Sequence, residues 1–469
     1  GLLVRLYKIN SPLADWHSWR QADTAAVARN FLKYGYDLLR PRYDDLSNIA
    51  SGKENPQGYR FVEFPIYNAA HALLFQGINN LKQDLISFEA AGRLASIFSS
   101  LGSATFLYLI VKNLLGEWLG LLSMSFFLFL PFNIYYSRTI LPGPTMVMFS
   151  LGSVYLLMKT KNLPSLILAA AAVLVKPYAV FILIPSWLVI FGDGFKKAKN
   201  KNSYALYCMS YVLIAVLPFL FWRQWMQKFP EGIPANQWLL NKGKFRFHPV
   251  WWRWLFAERL GKLILGLWGL ILFGLGLITR PKKGQKKKEV MFYGWLLGIF
   301  SYLAIFARGN VQHDYYQILA IPVISVFLAK GAWFLLTAPR KYFNNVFSFS
   351  LLVFSLLMMF GFSWYQVRGY YQINRPQIMT AGETADRLLP KDAKIIAPYN
   401  GDTAFLYQTS RRGWPVVMTS IPKMVALGAE YYVAVNFDNV TNELIEKCPV
   451  LNKTDDWVII NLKDCKLEK

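Results

Sequence analysis

The chain has 469 residues, is 54% hydrophobic and only 17% charged, and carries a formal net charge of +24. A soluble chain of this length would make two or three domains with far more charged surface, so that class is excluded. Apolar runs of about 15–25 residues recur instead, the length that crosses a hydrocarbon core of about 30 Å. The basic excess lies mostly in short loops between these runs, the marking of cytoplasmic loops in a polytopic membrane protein, and this argues against nucleic acid as a partner.

In chain order, GLLVRLY reads as the last turns of a helix that begins outside the sequence given. Residues 8–86 follow as a connection too long to be a mere link. Within it Ser18 and Gln21 have the spacing of a capping box, which predicts a helix through Gly35. FPIYNAAHALLFQGI (64–78) is apolar on one face and short, and is expected to lie in the membrane interface. Transmembrane helices are expected at 87–111, 117–135, 144–158, 163–175, 177–192, 204–223, 259–279, 290–306, 317–337 and 346–364. The fourth and fifth are separated at LVKPYAV, where Pro177 lacks the N–H that a continuous helix needs.

Lys159 and Lys161, the run Lys196–Lys201, RPKKGQKKKE (280–289), and Arg340 with Lys341 occupy alternate loops. All four therefore fall on one side, which the positive-inside rule makes cytoplasmic. Residues 8–86, the turn at 136–143, the LVKPY break, the loops at 224–258 and 307–316 and the C-terminal segment then face outward. The fold expected is a polytopic α-helical membrane protein with about 10 transmembrane helices present, 11 with the N-terminal one restored. Its divisions are 1–86, 87–366 and a small extracytoplasmic α/β domain at 367–469. In that domain AKIIAPY, PVVMTS, YYVAVNF and DWVIINL read as strands, and 378–389 and 439–447 as helices. Cys448 and Cys465 both lie there and are a candidate disulfide.

This topology gathers His17, Arg20, Asp23, Glu63, Arg138, Lys176, Arg308, His313, Asp314, Tyr315 and Tyr316 at the outer face. Singly each has an ordinary reading as an anchor, a snorkelling cation or an aromatic-belt residue. Together, a carboxylate among several cations suits transfer of a sugar from a lipid-linked phosphate. Cations bind the phosphate as its charge grows, and a carboxylate accepts the proton of the attacking hydroxyl. Nucleotide-activated donors are made in the cytoplasm, so an outward-facing transferase needs a donor carried in the membrane.

The order of WRQADTAAVARNF, VEFPIYNAAHALLFQG, EAAGRLASIF, YYSRTILP, LVKPYAVFILIP and HDYYQILAIP resembles the glycosyltransferase C superfamily. The likeness is to the branch of protein O-mannosyltransferases and the lipid A aminoarabinose transferase, and it covers nearly the whole chain. It implies an inverting glycosyltransferase that moves a hexose or pentose from a polyprenyl-phosphate donor to an acceptor hydroxyl at the extracytoplasmic face. By this resemblance Asp23 is the general base, with Asp15 as its competitor. Arg20, Glu63, Arg138, Lys176, His313 and Tyr315 are expected to bind substrate, and Arg93 opens the next helix as in the family. The sequence departs where family members often have Lys-Pro-Pro after the Glu, since Phe64 and Pro65 stand there, and RTILPGPT lacks the acidic residue common in that turn.

No metal ion or other cofactor is expected. The expected partners are the lipid-linked donor, an acceptor protein, lipid or glycan, and membrane lipids, in a bacterial inner or plasma membrane. The rival readings are a surface-polysaccharide polymerase or ligase using a lipid diphosphate donor, a transporter, and a non-catalytic assembly protein. The transporter predicts internal repeats and ionisable groups near the bilayer midplane, and neither is apparent in the sequence.

Overall fold

The computed structural model describes residues 1–279, 286–337 and 344–465. Most of the basic run 280–289 and the pair Arg340 and Lys341 lie outside the described residues. The chain divides into two compact units. The first comprises Gly1–Tyr7, Arg93–Trp222 and Asn236–Gly369, and the second Lys8–Gly92, Arg223–Ala235 and Tyr370–Lys469.

The helices that matter here are α1 (Ser18–Tyr34), α2 (Ile66–Leu81), α3 (Phe88–Leu115), α4 (Glu117–Phe129), α5 (Pro131–Tyr136), α6 (Gly143–Met158) and α7 (Asn162–Val175). They continue with α8 (Val180–Lys197), α9 (Lys201–Trp225), α10 (Gly269–Ile278), α11 (Lys286–Ile305), α12 (Ile321–Thr337) and α13 (Asn345–Val367). Each predicted apolar segment is helical, and the protein is a polytopic membrane protein. Among the described residues five helices are long and apolar enough to cross a membrane, or six if one bent pair counts as a single span. At 1.5 Å per residue, the 13–16 residues of α4, α6 and α7 fall short of a core of about 30 Å.

The breaks have local causes. Pro131 opens α5 after Leu130, which is extended at ψ 121°, so the expected span 117–135 is two helices. Lys176 is extended, at φ −153° and ψ 124°, between α7 and a 3₁₀ turn begun by Pro177. The span expected at 259–279 is not continuous. A π-helical segment, Arg253–Ile264, meets α10 at 113°. Gly266 and Leu267 turn the chain there with φ of 50° and 61°. A Cβ on Gly266 would lie 2.3 Å from the Met359 carbonyl oxygen, so only glycine fits the turn.

Helix α12 is largely apolar, with the single charge of Lys330 paired with Glu289, and is buried along most of its length, packed against α4, α10 and α13, which makes it the core of the first unit. Its crossing with α10 is close. A Cβ on Gly276 would meet the Phe327 carbonyl oxygen at 1.8 Å, and one on Gly331 would meet that of Leu272 at 1.8 Å. Small residues at both positions let the two backbones touch.

The second unit is built on a five-stranded sheet of order β2-β1-β3-β5-β4. Its strands are β1 (Lys394–Ile396), β2 (Arg412–Trp414), β3 (Tyr431–Ala434), β4 (Val450–Lys453) and β5 (Val458–Asn461). β1 pairs in parallel with β2 and β3, while β5 pairs antiparallel with β3 and β4. Alternate residues serve opposite faces. Ile395, Val433 and Ile459 pack with α14 (Gln377–Leu388) and α15 (Thr403–Gln408). Ile396, Tyr432, Val458 and Ile460 pack with α16 (Ile421–Ala426) and α17 (Asn439–Lys447), beside the disulfide between Cys448 and Cys465.

Three expectations change. PVVMTS is not a strand, because the chain pairs with β1 three residues earlier, at Arg412–Trp414, and then turns away. The outer loop and the C-terminal segment, expected as separate divisions, are one compact unit. The reason is that residues 44–46 extend the sheet beyond β2, through Leu46 N to Gly413 O at 2.7 Å and Gly413 N to Asp44 O at 2.9 Å. Finally, no capping box forms. Ser18 is already the first helical residue, His17 precedes it with φ 55°, and the Gln21 amide donates instead to Asp15 Oδ1 at 2.8 Å.

Candidate active site

Helix α1 carries the first part of the site. It has four alanines among 17 residues, and their small side chains let α2 and α15 pack closely, so its polar residues are buried with the apolar ones. A buried charge needs a partner, and segment 42–63 supplies three. Asp23, 4% exposed, accepts from Arg60 Nη2 at 2.6 Å through Oδ2 and from Thr403 Oγ1 at 2.7 Å through Oδ1. Arg20 Nη2 meets both oxygens of Glu63, at 2.5 and 2.6 Å. Arg29 donates to Asp44 at 2.5 Å and lies 4.1 Å from the centre of the Tyr407 ring, whose hydroxyl donates to Glu89.

Arg60 and Thr403 therefore join Asp23 although nothing in their spacing singles them out. Arg60 lies three residues before Glu63, and an acid–base pattern matched between α1 and 60–63 was the available signal. Thr403 carried none, since it reaches Asp23 from 380 residues away. Glu63 is the partner of Arg20 in this structure. Asp15 is buried just before the amino end of α1, where it accepts from the Gln21 amide at 2.8 Å.

Burial also shifts carboxyls near this site. Asp45 is pushed up to about 6 by desolvation, opposed by its bonds to Ser47. Asp402 is likewise raised to about 6 by desolvation, reinforced by the charge of Asp23. Burial lowers His71, on α2, to about 4.

The remaining predicted residues belong to the first unit. Lys176 and Tyr315 line one small cavity, ≈ 20 Å³, together with Tyr136, Tyr178, Tyr302 and Tyr316. The Lys176 ammonium lies 5.8 Å from the Tyr178 ring centre and 5.6 Å from that of Tyr316, a cation framed by aromatic faces. His313 stacks on Tyr315 at 5.4 Å and meets Trp238 edge-on, outside the cavity lining. Arg138 is buried after α5, its backbone N–H bonded to Tyr135 O, and does not line the cavity either. Asp314 is fully buried, accepting from the Tyr136 hydroxyl with Arg259 at 3.5 Å.

Residues 72–222 match the family model described as dolichyl-phosphate-mannose-protein mannosyltransferase. The whole chain superposes on the crystal structure of ArnT from Cupriavidus metallidurans bound to undecaprenyl phosphate. The TM-score is 0.64 at 13% identity, covering 98% of this chain and 96% of that one. The chain has the fold of ArnT, and its residues 72–222 are similar to the protein mannosyltransferase family. The Archaeoglobus fulgidus oligosaccharyltransferase in complex with Zn and sulfate is similar at a TM-score of 0.56 and 10% identity, over 92% of this chain and 67% of that one. No curated protein sequence matches the chain.

Proposed function

We propose that this protein is a glycosyltransferase C enzyme that transfers a sugar from a polyprenyl-phosphate donor to an acceptor hydroxyl, with inversion and with Asp23 as general base. The observation that carries the reading is a buried carboxylate held by Arg60 and Thr403, in a chain with the fold of an ArnT that is bound to undecaprenyl phosphate. A carboxylate has about four lone-pair sites. Arg60 and Thr403 take one on each oxygen of Asp23 and set its orientation, leaving others to receive the acceptor proton. On donor departure the leaving phosphate gains charge, which a cation held among aromatic rings, as Lys176 is, would stabilise. Arg138, His313 and Tyr315 are the further donor ligands of this reading, and Arg20, fixed by Glu63, positions the amino end of α1.

The same reading places the second unit outside the membrane and the lysine-rich loops inside, in a bacterial inner membrane, with the short apolar helices completing ten spans. It also needs no metal ion. Three of the carboxylates that α1 and the outer loop offer are held by a guanidinium, Asp23 by Arg60, Glu63 by Arg20 and Asp44 by Arg29, while Asp15 is bonded to the Gln21 amide and Asp45 to Ser47. Such a donor set does not fit a divalent cation, and added chelator should leave turnover within about twofold, where loss of turnover would refute the point.

The test is turnover of radiolabelled polyprenyl-phosphate sugars by the full chain in nanodiscs. Asp23→Asn should reduce transfer by about 10²–10⁴-fold with folding intact, the span of general-base contributions. Equal turnover in both forms would remove Asp23 as base. Turnover of lipid diphosphate donors alone would favour a polymerase or ligase.

A further inference from the structure

The second unit holds a groove to which the reading above assigns no role. In its sheet, β1 connects to β2 on one side and, after α16, the chain returns to β3 on the other. The strand order thus reverses between β1 and β3. In open sheets with parallel strands, the crevice outside the carboxyl ends of the strands at such a reversal is where ligands bind. The segments leaving these two strands, 397–402 after β1 and 435–438 after β3, line two neighbouring clefts here. One, of ≈ 270 Å³, is walled by Asp15, Trp16, Trp19, Arg375, Tyr399 and Asp402. The other, of ≈ 100 Å³, shares Arg375 and Ile378 with it and continues to Asp455 and Asp456. The first is close to the lower end of the range for small-molecule sites, about 300–1,000 Å³.

The lining has a definite chemistry. Trp16 is 41% exposed although large and apolar, and stacks on Tyr370 at 5.0 Å and 11°, which holds the ring as a rigid platform. Tyr399 adds a second aromatic face, lining the same cleft as Arg375 and Asp402. Asp402 has one carboxylate oxygen bonded to Ala404 N at 2.7 Å, which fixes the group at the rim. Aromatic faces pack on the C–H faces of a sugar ring, while carboxylates and a guanidinium meet its hydroxyls.

The groove is also tied to Asp23. Thr403, next to Asp402, bonds Asp23 Oδ1 at 2.7 Å and the Trp19 carbonyl oxygen at 3.2 Å. Trp19 and Asp23 are four residues apart on α1, hence on one face. We propose that this groove is the acceptor site and that the acceptor hydroxyl is presented on a carbohydrate, a reading that rests on the transferase function above.

The experiment is saturation-transfer NMR on the full chain in nanodiscs. The probes are neutral oligosaccharides free in solution, the same glycans lipid-linked in the disc, and a Ser/Thr-rich peptide. An oligosaccharide should bind, and Arg375→Ala and Trp16→Ala should each weaken it at least tenfold. Trp16→Phe, which keeps a platform, should stay within about threefold. Arg375 is exposed, so its variant should melt like wild type. Binding of free glycan would show that the sugar suffices, and binding only of the lipid-linked form that the carrier contributes; both support the proposal. Binding untouched by the variants, no glycan bound at all, or a peptide displaced by the variants overturns it. Donor turnover without glycan binding overturns the acceptor groove alone, whereas glycan binding without donor turnover overturns the transferase reading and with it the acceptor role.

Discussion

Asp23 is held by two partners that differ in kind. Arg60 neutralises it and Thr403 only orients it. Removing Arg60 leaves a buried carboxylate uncompensated, a loss of about 3–5 kcal/mol. Arg60→Ala should therefore lower the thermal midpoint in detergent strongly, and Asp23→Asn in the same chain should recover most of the loss. If Arg60→Ala melts like wild type, the pair contributes nothing to the fold. A second prediction concerns Asp45, whose folded-state pKa of about 6 exceeds the usual value of 3.8. The folded state then holds this proton more tightly than the unfolded chain. Its contribution is fully present below about pH 4, is lost as pH rises to about 6 and stays lost above, on the order of 3 kcal/mol. Asp402 acts in the same direction, and His71, lowered to about 4, in the opposite one between about pH 4 and 6.5. Melting Asp45→Asn beside wild type from pH 4.5 to 7 isolates the term, since the variant should gain relative to wild type as pH rises.

Elements are shaped here as much by where helices stop as by where they run. Pro131, Lys176 with Pro177, and Gly266 with Leu267 each interrupt an apolar stretch that composition alone would carry through a membrane. The crossing of α10 and α12 depends on two glycines in contact with backbone. Gly331→Ala would set a Cβ 1.8 Å from the Leu272 carbonyl oxygen, so the helices must separate along a buried interface. A loss of about 1–3 kcal/mol is expected, as for overpacking in a dense core, read as a lowered melting temperature. Combined with Gly276→Ala the loss should be less than additive, because once the helices part the second methyl has room. Additive losses would show that the two contacts are independent.

The second unit is assembled from three stretches far apart in sequence. Residues 44–46 continue its sheet, and Phe61 N bonds Gly232 O at 2.8 Å, so all three stretches must come together before the unit closes. The orientation proposed for the chain is tested at this scale, in a Cys208→Ser background. A cysteine at Asn374 should react with a membrane-impermeant maleimide in intact cells, and one at Lys199 only after permeabilisation. The reverse pattern would invert the topology and remove the argument for a lipid-carried donor.

The apolar periodicity of the sequence determined that this is a membrane protein and where its helices lie, because burying twenty side chains in hydrocarbon leaves a signal in every one of them. The collinear segments around Asp23, Glu63 and Lys176 likewise made the glycosyltransferase C likeness readable. Helix α17 at Asn439–Lys447 and strands β1, β3 and β5 were legible from local pattern. Strand β4, fully exposed, and the six-residue helices α15 and α16 were not, since neither leaves a sustained period. Tertiary structure alone decided that Arg60 and Thr403 hold Asp23, that Arg20 belongs to Glu63, and that the outer loop and the C-terminal sheet form one unit. These are pairings between side chains or backbone edges distant in sequence. Only the folded chain brings such groups within hydrogen-bond reach, and a single sequence carries no record of that distance.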